Sequence, residues 1–250
     1  MTEMKRDKLT CRWALLATLV ATEAAAGNPE WQDNSLTLVA GGHFRVDPET
    51  RLTLTYEHAS GWGFGDLFMF VDATRFNEGR GNTYYGELSP RFSYAKLSGT
   101  GMGAGLVSDV LLATTLEFGE GDVETLLAGP GFDLAIPGFD FFQLNLYRRF
   151  PLHGQDGRTI QVTPVWAVTR GRWRFDGFID WNINSDGGYA SNWHVNPQLK
   201  YDLGKSFGWP DRALQVGIEY SYWKKKYGIR DSSTFRTDEN ALSVIVQSHF

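Results

Sequence analysis

One cysteine, five histidines and a single short basic run are all this sequence has of the residues that usually carry thiol chemistry, metal sites or nucleic-acid contacts. The cysteine, Cys11, lies in the first dozen residues, ahead of an apolar stretch. If that segment is removed on export, the remaining chain has no thiol, which excludes disulfides, Cys–zinc sites and Cys nucleophiles together. The formal net charge is −5. The first 26 residues hold four basic and three acidic groups, so the rest of the chain is one unit more negative. An acidic chain without a basic cluster is a poor nucleic-acid binder. The one basic run, Lys224-Lys225-Lys226, reads as a solvated loop end. After the N-terminal segment no stretch approaches the roughly 18 apolar residues of a membrane-crossing helix, so a helical membrane protein is excluded. No repeat, low-complexity segment or linker divides the chain, which implies one domain.

Residues 1–26 have the order of a secretory signal peptide. Lys5, Arg6, Lys8 and Arg12 are basic, residues 13–21 (WALLATLVA) form a short apolar core, and Ala24-Ala25-Ala26 offers a small-residue cleavage site before Gly27. Nine residues are too few for a spanning helix. The folded domain is then expected over 27–250.

Beyond residue 27 the apolar residues alternate with a period of two. In 212–223, Leu214, Val216, Ile218, Tyr220 and Tyr222 share one face, and Gln215, Gly217, Glu219 and Ser221 the other. In 172–182, Trp173, Phe175, Ile179 and Trp181 alternate with Arg174, Asp176, Asp180 and Asn182. Strands with one apolar and one charged face fit a soluble sandwich or a membrane barrel. Aromatic residues at the strand ends favour the barrel, because Trp and Tyr prefer the half-wet bilayer interface. The pattern predicts twelve strands: 33–40, 51–59, 66–73, 83–94, 108–118, 123–135, 139–149, 159–169, 172–182, 191–202, 212–223 and 239–250. An even count puts both termini in the periplasm. Connections 41–50, 74–82, 119–122, 150–158, 183–190 and 224–238 then lie outside the cell. Connections 60–65, 95–107, 136–138, 170–171 and 203–211 lie inside. The last strand places Leu242, Val244, Val246 and Phe250 on one face, and the terminal aromatic is the ending that barrel-assembly machinery reads.

Parity assigns the lumen. In 66–73 the face Leu67, Met69, Val71, Ala73 is wholly apolar, while Asp66 and Asp72 lie on the other with Phe68 and Phe70. An Asp facing hydrocarbon costs several kcal/mol, so the apolar face meets lipid and the two rings face inward. The same logic puts Arg174, Asp176, Phe178 and Asp180 inside on 172–182. On 139–149 it selects Phe141, Gln143, Asn145 and Tyr147, and on 83–94 Tyr85, Glu87, Ser89 and Arg91. A plain water pore needs polar walls. Rings beside carboxylates and amides suit a flat solute with polar edges, since each base stacked on an aromatic gains about 1–3 kcal/mol. The bland alternative is that these rings only fill a small lumen.

The stretch 51–97, with TLTYEHASGWGFGDLFMFVDA followed by YYGELSPRFSYAKL, resembles the Tsx-like family of nucleoside-specific outer-membrane channels. The pattern Y-x-E-x-x-P-R-F-S-x-x-K-L over Tyr85–Leu97 carries much of the likeness. The stretch GPGFDLAIPGFDFFQLNLYRRF at 129–150 and the terminal strand extend it over most of the chain. The resemblance implies a twelve-stranded all-β transmembrane antiparallel barrel in the outer membrane, diffusion of nucleosides along a narrow lumen, and no cofactor. The expected partners are outer-membrane lipid, nucleosides or related small solutes, and the assembly machinery acting through Phe250. Two rivals remain at this stage. One is a barrel enzyme of lipase or protease type, for which no G-x-S-x-G or H-E-x-x-H is present. The other is an adhesion or phage-receptor barrel using the long polar loop 224–238.

Overall fold

The computed structural model describes residues 27–101, 105–121, 123–153, 159–183 and 188–250. The expected signal segment 1–26 and parts of the outer connections 119–122, 150–158 and 183–190 lie outside these described residues. The described residues form twelve antiparallel strands, β1 (Trp31–Gly42), β2 (Arg51–Trp62), β3 (Gly65–Phe76), β4 (Asn82–Ser93), β5 (Val107–Gly119), β6 (Glu124–Leu134), β7 (Phe141–Pro151), β8 (Ile160–Arg170), β9 (Trp173–Ile183), β10 (Asn192–Asp202), β11 (Gln215–Lys224) and β12 (Glu239–His249). Every strand pairs with its neighbours in sequence, and β1 pairs with β12 to close the barrel. Closure leaves no edge with unpaired backbone groups, which a structure surrounded by hydrocarbon requires. Each strand predicted from alternation overlaps an observed one.

The alternation is visible in burial. Along β12, Glu239, Ala241, Ser243, Ile245 and Gln247 are buried, and Leu242, Val244 and Val246 are exposed on the outer wall. Leu36, Leu38, Leu52, Leu54, Leu112 and Ile218 continue that apolar exterior. Aromatic pairs mark its two ends. Trp181 and Trp193 stack at 5.4 Å on the outer side of β9 and β10 toward the extracellular rim. Trp173 and Tyr201 meet edge-on at 5.0 Å near the periplasmic rim. These are the two girdles expected where rings sit at the membrane surface.

Two features depart from the sequence reading. The inner connection 95–107 is not all loop, because Tyr94, expected to end a strand, begins a five-residue helix, α1 (Tyr94–Ser98). The Ser93 hydroxyl accepts the Lys96 N–H at 3.0 Å and caps it, and Gly99 ends it in the left-handed conformation. The second concerns proline. Pro90, Pro130, Pro164 and Pro197 lie inside β4, β6, β8 and β10. Each interrupts pairing with the following strand: registers skip between Leu88 and Arg91, between Ala128 and Gly131, between Val162 and Val165, and between Val195 and Gln198. A proline has no N–H to give the ladder, so a break is what it must cause. All four rings have outward parity, which keeps the lumen wall free of them.

Candidate solute pathway

The inward faces carry nearly all of the chain's membrane-level charge, and they sort into layers. Near the periplasmic end Arg91 is buried and bridges three strands. Its Nε and Nη2 donate to Asp66 at 2.8 and 2.6 Å, and its Nη1 donates to Asp133 at 2.9 Å. Across the lumen, Asp176 accepts from Arg174 at 2.6 Å and pairs with Lys200 at 2.9 Å, while Arg174 also reaches Asp140 at 3.2 Å. Phe141 and Gln143 line a cavity of about 270 Å³ on this rim with Asp133 and Asp140. Asp66 and Arg91 thus belong to one network and Arg174 and Asp176 to another, both toward the periplasmic end of the barrel.

The middle layer is different. Here carboxylates are held by neutral donors. Asp72 accepts from Thr55 at 2.5 Å, Glu87 from the Tyr85 hydroxyl at 2.8 Å, and Asp180 from Gln161 at 2.8 Å and Thr163 at 2.6 Å. Glu57 accepts from Ser35 and Gln247, and Glu219 from Gln198. Among the described residues of this layer, Glu117 alone takes a cation directly, the bidentate Arg149 at 2.5 and 2.6 Å.

Aromatic rings accompany these acids on two walls. On one, Phe68 and Phe70 lie 6.1 Å apart and Phe70 lies 5.8 Å from Tyr85. On the other, Phe178 meets His194 edge-on at 5.1 Å, and His194 stacks on Trp223 at 4.0 Å with the planes 13° apart. In register, Phe70 stands between Glu57 and Glu87, and Phe178 shares its strand face with Asp176 and Asp180. Asn145 and Tyr147 lie inward but serve packing. Tyr147 is buried with Ala113 and Leu127, which fills the lumen beside β5–β7. Gly131 has no Cβ because one would meet Asn145 Oδ1 at 2.7 Å.

Parity selects fifteen residues, which lie in the structure among periplasmic ion networks, a middle acidic and aromatic layer, and packing. It misses residues that the same rule reaches, namely Glu57, Glu117, Arg149 and Lys200. It also misses those that no alternation signals. The largest error is Lys226. The run 224–226 is not a solvated loop end. Only Lys224 is exposed, whereas Lys226 is buried with its ammonium 2.7 Å from Glu239 and 2.9 Å from Asp47. The reason is topological: the chain turns inward at residue 225, and sequence spacing does not reveal a reversal over the barrel mouth.

A closed transmembrane barrel with a charged, ring-lined interior is an outer-membrane channel for small polar solutes, in contact with lipid outside and solute within. Residues 52–248 match the family described as nucleoside-specific channel-forming protein, Tsx, and the chain belongs to that family. It is a channel and not an enzyme. It is similar to the outer membrane protein OmpK of Vibrio parahaemolyticus, with 23% identity over 182 residues that cover 68% of this chain and 67% of that protein. Among solved structures it shares its fold with the KdgM porin, at a TM-score of 0.52 and 11% identity over 86% of this chain and 99% of that one. The KdgM porin in complex with disordered oligogalacturonate gives the same TM-score at 10% identity and the same coverage.

Proposed function

We propose that the solutes are nucleosides, or flat heterocycles of the same size with hydroxyl-bearing substituents. The observation that carries this reading is the middle layer: two aromatic walls, each with a carboxylate held by neutral donors, Glu87 beside Phe70 and Asp180 on the strand face of Phe178. A base stacks on Phe68, Phe70 or Phe178, and ribose hydroxyls donate to Asp72, Glu87 and Asp180. Weak, repeated contacts of this kind admit a solute and still release it. Asp66, Arg91, Arg174 and Asp176 then meet the solute at the periplasmic exit, with Phe141 and Gln143 at the rim, while Asn145 and Tyr147 shape the wall. The same acids make the lumen hostile to an acidic sugar chain such as the oligogalacturonate of the KdgM porin complex, despite the shared fold.

The test is concentration-dependent block of single-channel current by adenosine, with a small sugar as control. Phe70→Ala is expected to weaken adenosine block by about 1–3 kcal/mol of binding. Assembly should stay intact, since lumen substitutions chiefly tune selectivity. Equal block by adenosine and sugar in the unaltered protein would reduce the rings to filling.

A further inference from the structure

The extracellular mouth holds a structure that conduction alone does not require. Connections 43–50 and 225–238, from opposite flanks of β12 and β1, fold onto each other around one lysine. Lys226 Nζ lies 2.7 Å from Glu239 at the start of β12 and 2.9 Å from Asp47 of the other connection. Its side chain is 2% exposed, and that of Glu239 is fully buried. The Tyr227 hydroxyl donates to Asp47 at 2.8 Å, and the Arg45 N–H donates to Glu239 at 2.8 Å. Phe44 is 1% exposed, with the Arg51 guanidinium 3.7 Å above its ring. Tyr227 and Trp223 close around the ammonium at 5.1 and 5.9 Å. On the far side the Ala190 N–H donates to the Gly228 carbonyl at 2.7 Å, and Gly228 packs against the Tyr189 ring.

Loops that stand clear of a barrel are wet on both sides. Here Phe44, Lys226 and Gly228 are buried, and Lys226 meets Glu239 on the inward face of β12, so this part of the two connections turns in over the opening. The contacts run from β10 through β11, β12 and β1 to β2, which is five of the twelve strands of the rim.

Backbone strain is concentrated in the same place. Of five non-glycine residues with positive φ among the described residues, four are His43 (68°), Val46 (71°), Lys225 (53°) and Tyr227 (56°). A β-branched valine in that region is a true outlier, and such conformations persist only where their surroundings over-determine them. The buried lysine and its two carboxylates are what over-determines them here.

We infer that connections 43–50 and 225–238 form a latched constriction that sets the size of solute admitted to the lumen, and that Lys226 is the positioning residue that holds it shut to larger ones. Removing the ammonium leaves the buried Glu239 without its cation and Asp47 with only Arg51, at 4.0 Å, so the link between the two connections is lost and the stored strain opens the mouth. This does not depend on which solute the channel prefers.

The experiment compares single-channel potassium conductance and liposome swelling for the full-length protein, Lys226→Met and Lys226→Arg. Lys226→Met should assemble as a heat-modifiable barrel, raise conductance by roughly twofold or more through the wider constriction, and admit neutral oligosaccharides that the unaltered channel excludes. Lys226→Arg should restore both values. A Lys226→Met barrel with unchanged conductance and an unchanged size limit overturns the inference. If that variant does not assemble, Asp47→Asn carries the test, since it lies outside every strand and removes one arm of the latch. Raised conductance then supports the latch, and unchanged conductance overturns it.

Discussion

Arg91 offers the most direct measure of how the lumen is held together. Its side chain is 5% exposed and makes three charge-assisted hydrogen bonds to two carboxylates, Asp66 on β3 and Asp133 on β6. Because β4 and β5 lie between those strands, the guanidinium ties four of the twelve strands, a third of the wall, together. Arg91→Leu keeps much of the volume and leaves both carboxylates without their cation. Breaking a fully buried pair in this way costs about 3–5 kcal/mol. Asp66 and Asp133 are 25% and 32% exposed to the lumen, so water recovers part of the loss and the low end, about 3 kcal/mol, is expected. Denaturant unfolding of the detergent-folded barrel measures it as a fall in midpoint at constant slope. The triple variant Arg91→Leu, Asp66→Asn, Asp133→Asn removes charge from all three partners and should recover most of the stability, because the penalty lies in the orphaned charges. The reasoning is refuted if Arg91→Leu unfolds within about 0.5 kcal/mol of the unaltered protein, or if the triple variant is no more stable than the single one.

Two further expectations concern export and assembly. We propose that residues 1–26 are a cleaved leader. N-terminal sequencing of membrane-extracted protein should then begin near Gly27, and a retained Met1 in a soluble fraction contradicts it. We also propose that Phe250, 70% exposed just beyond β12, is the residue the assembly machinery reads. Its deletion should lower the yield of heat-modifiable barrel without changing the stability of what does assemble, and a normal yield removes the role.

The barrel was legible because its physics is one-dimensional. A strand with lipid on one side and water on the other must alternate, so Asp66 and Asp72 alone fix the facing of Phe68 and Phe70. What alternation cannot carry is anything that depends on distance across the lumen. Nothing along the chain places Arg91 against Asp133, or says that Tyr147 packs into a core while Phe70 lines a wall. Lys226 lies beyond the last alternating residue, where a reversal of the backbone decides its fate. The prolines were a stronger conflict, since a proline normally argues against a central strand, and a closed barrel has no other kind. The structure answers it in two ways. Pro197 faces Gly177, whose φ of 155° and missing side chain let the backbone adapt, and the Pro90 carbonyl takes a hydrogen bond from the Thr114 hydroxyl at 2.8 Å. Pro164 shows neither provision: it faces Leu144 on one side and skips its pairing with β9 on the other. Pro164→Val restores a donor where the ladder has a gap, so it should stabilise the barrel by about 0.5–1.5 kcal/mol. Pro197→Val should gain nothing, because Gly177 on β9, the side where pairing is continuous, is already fitted to the bend at Pro197. Denaturant midpoints of the two variants distinguish a missing donor from a required bend. If Pro164→Val is the less stable of the two, the gaps are there to bend the wall, and the hydrogen-bond argument fails.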